Sequence, residues 1–178
     1  MSECSQKAFI DSTSNNYLWL KIMDCSRLEY IKNVNDDNKV WAYKLHLIGD
    51  DFRLNFKKSK NTSVDTHAFN LSKGSLIILS QKRPGYDERY LTHVVELVNE
   101  GSKDKLDWET GTWDIFRLVK VHWIADFKYP NRIPLDKEIM IAKWGWYDTK
   151  AKLLSSRNLM SQWSSIDQLR THLGEVFN

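Results

Sequence analysis

The segment Leu106–Phe127, LDWETGTWDIFRLVKVHWIADF, constrains the fold more than any other stretch of the chain. From Ile115 to Phe127 the side chains alternate with period two. Ile115, Arg117, Val119, Val121, Trp123 and Ala125 fall on one face, and Phe116, Leu118, Lys120, His122, Ile124 and Asp126 on the other. β-Branched and aromatic residues suit a pleated surface, and both faces carry apolar side chains, so a central strand is expected here. The polar loop before it, Asp107–Trp113, holds two tryptophans and a glycine. Surface cover is an expensive use of Trp108 and Trp113, so they are read as lining a pocket at the mouth of the strand.

A central strand needs neighbours, and the same signals supply them. Tyr17–Ile22, Leu76–Ser80 and Tyr90–Val98 read as strands, the last two joined as a hairpin through Pro84-Gly85. Lys39–Leu47 alternates Trp41, Tyr43, Leu45 and Leu47 on one side and is also expected to be a strand. A turn at Gly49-Asp50-Asp51 then leads into Phe52, Leu54 and Phe56. Segment 138–143 is expected to be the last strand, continuing to Trp144. Two helices are expected. Asp24–Val34 has capping-box spacing at Ser26 and Glu29, with Leu28 and Ile31 as a short apolar stripe. Ser165–Val176 has Ser165 with Gln168 as its capping box and Ile166, Leu169, Leu173 and Val176 along one face. Met1–Asn16 is polar and reads as a loosely held arm. Residues 17–178 are expected to form a single α+β domain around a curled, mostly antiparallel sheet, since a chain of 178 residues can bury one core.

Catalytic and cofactor motifs are sparse. Five histidines and two cysteines show no metal-ligand spacing, and the glycines form neither a phosphate loop nor a dinucleotide fingerprint. No metal or cofactor is expected. His93 and His122 lie inside strands, where a lone histidine is more often a hydrogen-bonded structural residue than a general base; Glu96 and Asp114 are the carboxylates in reach. Cys4 and Cys25 are too few for a disulfide framework and read as reduced, and no apolar run reaches membrane-spanning length. A cytosolic protein without a membrane partner is expected.

Eight tryptophans exceed ordinary usage, and flat side chains suit stacking on bases. Trp19 and Trp123, at strand positions, read as core; Trp41, Trp108 and Trp113, flanked by loops, are divided between pocket and packing. The net charge of +3 permits nucleic-acid binding without requiring it.

The order of segments resembles the YTH and EVE domains of the PUA-like superfamily, from about Tyr17 to Ile139. YLWLK is similar to the first strand of EVE domains, and Val40-Trp41-Ala42 to the V-W-S step of YTH domains. GSLIILS and YLTHVVELV resemble the next two strands, Trp108 with IFRLVKVHW the loop tryptophan and strand that follow, and IPLDKEI the returning segment. The resemblance implies a PUA-like barrel that binds a modified, for example methylated, base in nucleic acid without catalysis. Trp41 and Trp108 would be two cage walls, Trp113 would stand near the third, and Lys21 would meet a backbone phosphate. Ala42 replaces the serine after the cage tryptophan, leaving a backbone contact to the base edge. Asp24 would either accept from an exocyclic amine or cap a helix. Lys57, Lys58, Lys82 and Arg83 are expected to hold further phosphates. A separate effector protein is a possible second partner. The alternatives are an enzyme acting on a nucleotide or nucleic acid with His93 or His122 as its base, and a protein-interaction module built on the Trp144–Tyr147 cluster.

Overall fold

The structure is a computed structural model that describes residues 23–34, 40–58, 63–83, 85–108, 114–139 and 150–177. Six strands, β1 (Leu28–Val34), β2 (Asp51–Phe56), β3 (Leu76–Lys82), β4 (Arg89–Leu97), β5 (Ile115–Ile124) and β6 (Ala151–Leu153), form one curled mixed sheet in the order β2-β5-β4-β3-β1-β6. Four of the five pairings are antiparallel; β1 and β3 run parallel. The helices are α1 (Val64–Phe69), α2 (Gly101–Lys105) and α3 (Ile166–Val176).

The strong period-two segments fold as expected. β5 lies between β2 and β4, and β3 and β4 pair as a hairpin turning through Gly85, whose φ is +80°. β2 opens at Gly49 (φ +94°) and buries Phe52, Leu54 and Phe56. α3 begins on the Ser165 hydroxyl, which accepts from the Gln168 amide at 3.1 Å, while Gln168 Oε1 accepts from Ser164 N.

Asp24–Val34, residues 40–50, Glu138 and Cys25 depart from expectation. Asp24–Val34 is no helix: Cys25–Arg27 form one 3-10 turn and the rest is β1. The cap is real but belongs to Asp24, whose carboxylate accepts from Ser26 N at 3.0 Å. The segment then lies between β3 and β6 and feeds both faces, Leu28 and Ile31 into one core and Tyr30 and Val34 into the other. A fully buried strand has no polar face, so its apolar residues mimic a helical stripe. Residues 40–50 form turns instead of a strand, leaving Leu45 85% and Leu47 69% exposed. In segment 138–143, Glu138 ends a 3-10 turn, Asp136–Glu138, and residues 140–143 lie outside the described residues, as do Tyr17–Ile22, the arm and Trp144–Tyr147. Cys25 is buried and disulfide-bonded, where the sequence reading had it reduced.

Two cores lie on the two faces of the sheet. Leu28, Ile31, Leu76, Ile78 and Val94 pack under α3, through Leu169, Leu173 and Phe177. Leu54, Phe56, Ile77, Leu79, Val119 and Val121 pack against Val64, Ala68 and Leu71 of the α1 region. α1 and α2 are fastened by the fully buried Arg117. Its Nε donates to Asp104 Oδ2 at 2.8 Å, its Nη1 to the carbonyls of Ala68 and Leu71, and its Nη2 to that of Asn99. Asp104 also accepts from Asn99 Nδ2 and Leu118 N, so the buried charges are paired and hydrogen-bonded as burial requires.

The curl has a local cause. Each of three register shifts leaves one extra residue on one strand: Glu29 on β1, Thr92 on β4 and His122 on β5. A bulge increases local twist and re-aims its side chain. All three extra residues are polar and all three engage other polar side chains: Glu29 accepts from Ser75 Oγ, Thr92 joins Gln81, and His122 meets Glu96.

Candidate functional site

The strand directions define two ends of the sheet. At one end β1, β3 and β5 finish and β2 and β4 begin; at the other the reverse holds. The first end carries the aromatic cluster. Trp41, half-buried, meets Tyr90 edge-on at 5.7 Å between ring centroids and Phe127 at 5.4 Å. Phe127 lies 5.8 Å from the His93 ring, which Tyr43 meets edge-on at 6.4 Å. Tyr43 packs on Phe52 at 4.4 Å, and His46 stacks on the same ring at 4.6 Å. Tyr43 holds a left-handed backbone, φ +61°, an uncommon state for a bulky residue and one its ring contacts maintain.

Beneath the rings lies a buried polar chain. Gln81 Oε1 accepts from Ala42 N at 2.9 Å, and Gln81 Nε2 donates to Thr92 Oγ1 at 2.7 Å. Thr92 Oγ1 stands 3.0 Å from His93 Nδ1 and 3.4 Å from the Leu79 carbonyl. If the hydroxyl donates to Nδ1, Nε2 carries the ring proton; if it donates to Leu79, Nε2 is an acceptor. Either way the ring is buried, and the Tyr43 backbone also hydrogen-bonds to it. Burial pushes the His93 pKa down to about 4, against an opposing pull from the Tyr43 backbone, so the ring is neutral at pH 7.

The expected site residues are divided by this geometry. Trp41 belongs to the aromatic end. Trp108 lies at the other end, its Nε1 donating to the Phe116 carbonyl at 2.7 Å at the start of β5. Trp41 packs against Tyr90, Ala125 and Ile133, whereas Trp108 packs against the core that holds Leu54, Phe56 and Val119. Trp41 and Trp108 thus pack in different clusters, and Trp113 lies outside the described residues. Ala42 is at the aromatic end, but its amide is taken by Gln81. Asp24 is at the far end and acts as the cap; hydrogen bonding from the Ser26 side chain holds its carboxyl below the usual range, with burial working the other way. Lys82 and Arg83 are at the aromatic end, Lys82 bridged to Asp87 at 2.6 Å and Arg83 lying over Tyr86. Lys57 and Lys58 follow β2 at the opposite end, and Lys21 is outside the described residues. Tyr90, Phe127, Gln81 and Thr92 were missed as site residues, although an aromatic just past the end of the strongest strand was a readable sign.

A second polar group occupies the α3 face. His122 Nε2 lies 2.6 Å from Glu96 Oε2, and Arg27 bridges Glu96 Oε1 while donating to the Gly74 carbonyl. Burial raises the Glu96 pKa, but the Arg27 hydrogen bond and charge, joined by His122, bring it below the usual range. Among the described residues no group of three or more His, Cys, Asp or Glu is placed to hold a metal ion, and no helix is long and apolar enough to cross a membrane. Family models, curated proteins and solved structures offer no match to this chain.

Proposed function

We infer that the protein is a non-enzymatic reader of PUA-like, YTH/EVE type, capturing a modified base of nucleic acid at the Trp41 end of the sheet. The observation that carries this reading is the ring cluster: Trp41 on Phe127 and Tyr90, with Phe127 and Tyr43 beside the buried, neutral His93. A base needs flat apolar faces and one or two polar atoms for its edge, and this end supplies both. A methyl group on the base adds apolar burial against the rings without removing their stacking. The base does not slide between Trp41 and Phe127 as they stand, because 5.4 Å is too short for a third ring. Trp41, half-buried on a loop, swings away and the base takes its contact with Phe127. Lys82 and Arg83 lie at the same end, where the phosphates on either side of the base pass.

A panel of oligonucleotides, unmodified or carrying N6-methyladenine or 5-methylcytosine, tests the reading by quenching of tryptophan fluorescence. At least one modified strand is expected to bind about tenfold more tightly than its unmodified counterpart, in line with one stacking interaction. Equal affinity across the panel removes the reading. The Glu96–His122 pair favours a second reading, an enzyme with His122 as base acting on a nucleotide. It stands on the face opposite the rings, and turnover of a nucleotide that is lost in His122→Gln would support it.

A further inference from the structure

Residues 40–50 carry Trp41, yet they form turns and so lack the ladder of hydrogen bonds that holds a strand. Ala42 is buried, and a buried peptide group needs partners for both its N–H and its C=O. Gln81 supplies both. Its Oε1 accepts from Ala42 N at 2.9 Å and its Nε2 donates to the Ala42 carbonyl at 3.4 Å, so one side-chain amide does for Ala42 what a neighbouring strand would do. Nε2 also donates to Thr92 Oγ1 at 2.7 Å, and Thr92 Oγ1 stands 3.0 Å from His93 Nδ1. The Tyr43 backbone in turn hydrogen-bonds to the His93 ring. A closed circuit results. Ala42 and Tyr43, the two residues after Trp41, are fastened to the sheet through Gln81 of β3 and His93 of β4, with Thr92 joining the two fastenings. All three sheet residues are buried, where hydrogen bonds gain strength and support one another.

We propose that Gln81 is the positioning residue of the aromatic end: it holds the backbone beside Trp41 so that a base enters by a swing of the indole alone, with the loop unmoved. The inference rests on the base-capture reading and deepens it by assigning what places the moving ring. Two observations favour this role over packing alone. Gln81 is the register partner of Tyr90, the ring that Trp41 meets edge-on at 5.7 Å, so the clamp and the ring contact fall at one point of the sheet. Trp41 is half-buried while Ala42 after it is buried and bonded on both sides, which leaves freedom to the ring and removes it from the chain. The residue type fits the task. A primary amide offers a donor and an acceptor together, a methionine of similar length offers neither, and an ionised glutamate offers acceptors only. A loop ordered on folding need not be ordered again on binding, and affinity rises accordingly.

The test is a double-mutant cycle between Gln81→Met and Trp41→Ala, read by anisotropy of labelled 5-methylcytosine and N6-methyladenine oligonucleotides. Gln81→Met is expected to bind the better modified strand about tenfold more weakly than wild type, and to add no further loss in the Trp41→Ala background. An anchor has nothing to place once the ring is gone, whereas a residue that serves packing alone loses equally in both backgrounds. In the free protein the Ala42 amide is expected to exchange slowly with deuterated solvent in wild type and faster in Gln81→Met. Thr92→Val keeps the branched shape and removes the hydroxyl that Gln81 Nε2 meets, so it is expected to give the same pattern with a smaller loss. If Gln81→Met does not fold, Thr92→Val carries the cycle and is judged in the same way. Wild-type affinity in the variant, equal losses in the two backgrounds, or unchanged exchange at Ala42 overturns the positioning role while leaving base capture standing. Wild-type protein that binds none of the oligonucleotides overturns both.

Discussion

His93 shows how one residue links the site to stability. Its imidazole is buried and neutral, with a pKa near 4 in place of the ordinary 6.5. Between those values the unfolded chain binds a proton that the folded chain refuses, so this group's contribution is complete above pH 6.5 and is lost as pH falls toward 4. At about 1.4 kcal/mol per unit the full loss is about 3 kcal/mol. Asp136 acts with the opposite sign: burial raises its carboxyl to about 6, with Arg89 pulling the other way, so its charged form costs stability as pH rises from about 4 to 6. The raw pH profile mixes the two, and the difference between wild type and His93→Phe isolates the histidine. Urea unfolding at pH 7 and pH 4.5 is expected to show the wild type losing more stability than the variant on acidification; parallel losses would mean that His93 is not buried neutral. None of this was legible in the sequence, which offered His93 as a strand histidine with a carboxylate partner. The polar atom that it meets is Thr92 Oγ1, brought there by a bulge that no pattern of alternation announces.

Elements with an unambiguous local signal were readable: the β-branched runs of β5, β3 and β4, the turn at Gly85 and the Ser165 cap of α3. β1, buried on both faces as β3 and β4 are, misled because Leu28 with Ile31 and Ser26 with Glu29 stand at helical spacing, and residues 40–50 misled because their alternating hydrophobics face solvent. The short helices α1 and α2 gave no stripe; close approach and Arg117 hold them. Gly101 begins α2 so near α1 that a Cβ there would stand 2.0 Å from the Phe69 carbonyl oxygen. A backbone atom yields little, so Gly101→Ala is expected to cost about 1–3 kcal/mol or more. It should also shift the Arg117 contacts, which span the same two helices. Chemical unfolding of Gly101→Ala at neutral pH measures it, and an unchanged midpoint would show that the two helices separate easily.

At the scale of the whole molecule the sheet has two unlike ends, and the account depends on which of them binds. The order of segments correctly suggested a curled α+β sheet, and it offered Trp41 as a cage wall. It joined Trp41 to Trp108 because both stand beside strands, although sequence order does not reveal at which end of a strand a flanking loop emerges. The strand directions place them at opposite ends, with Trp108 committed to the Phe116 carbonyl. At the aromatic end Trp41 is joined instead by Tyr90, Phe127 and Tyr43 around His93. The most direct test is fluorescence anisotropy of a labelled oligonucleotide, carrying the best-bound modification, titrated with Trp41→Ala and with Trp108→Ala. Trp41→Ala is expected to lose about 1–3 kcal/mol of binding while staying folded, and Trp108→Ala to bind like wild type. Equal losses in the two variants, or a loss confined to Trp108→Ala, would contradict base capture at the Trp41 end.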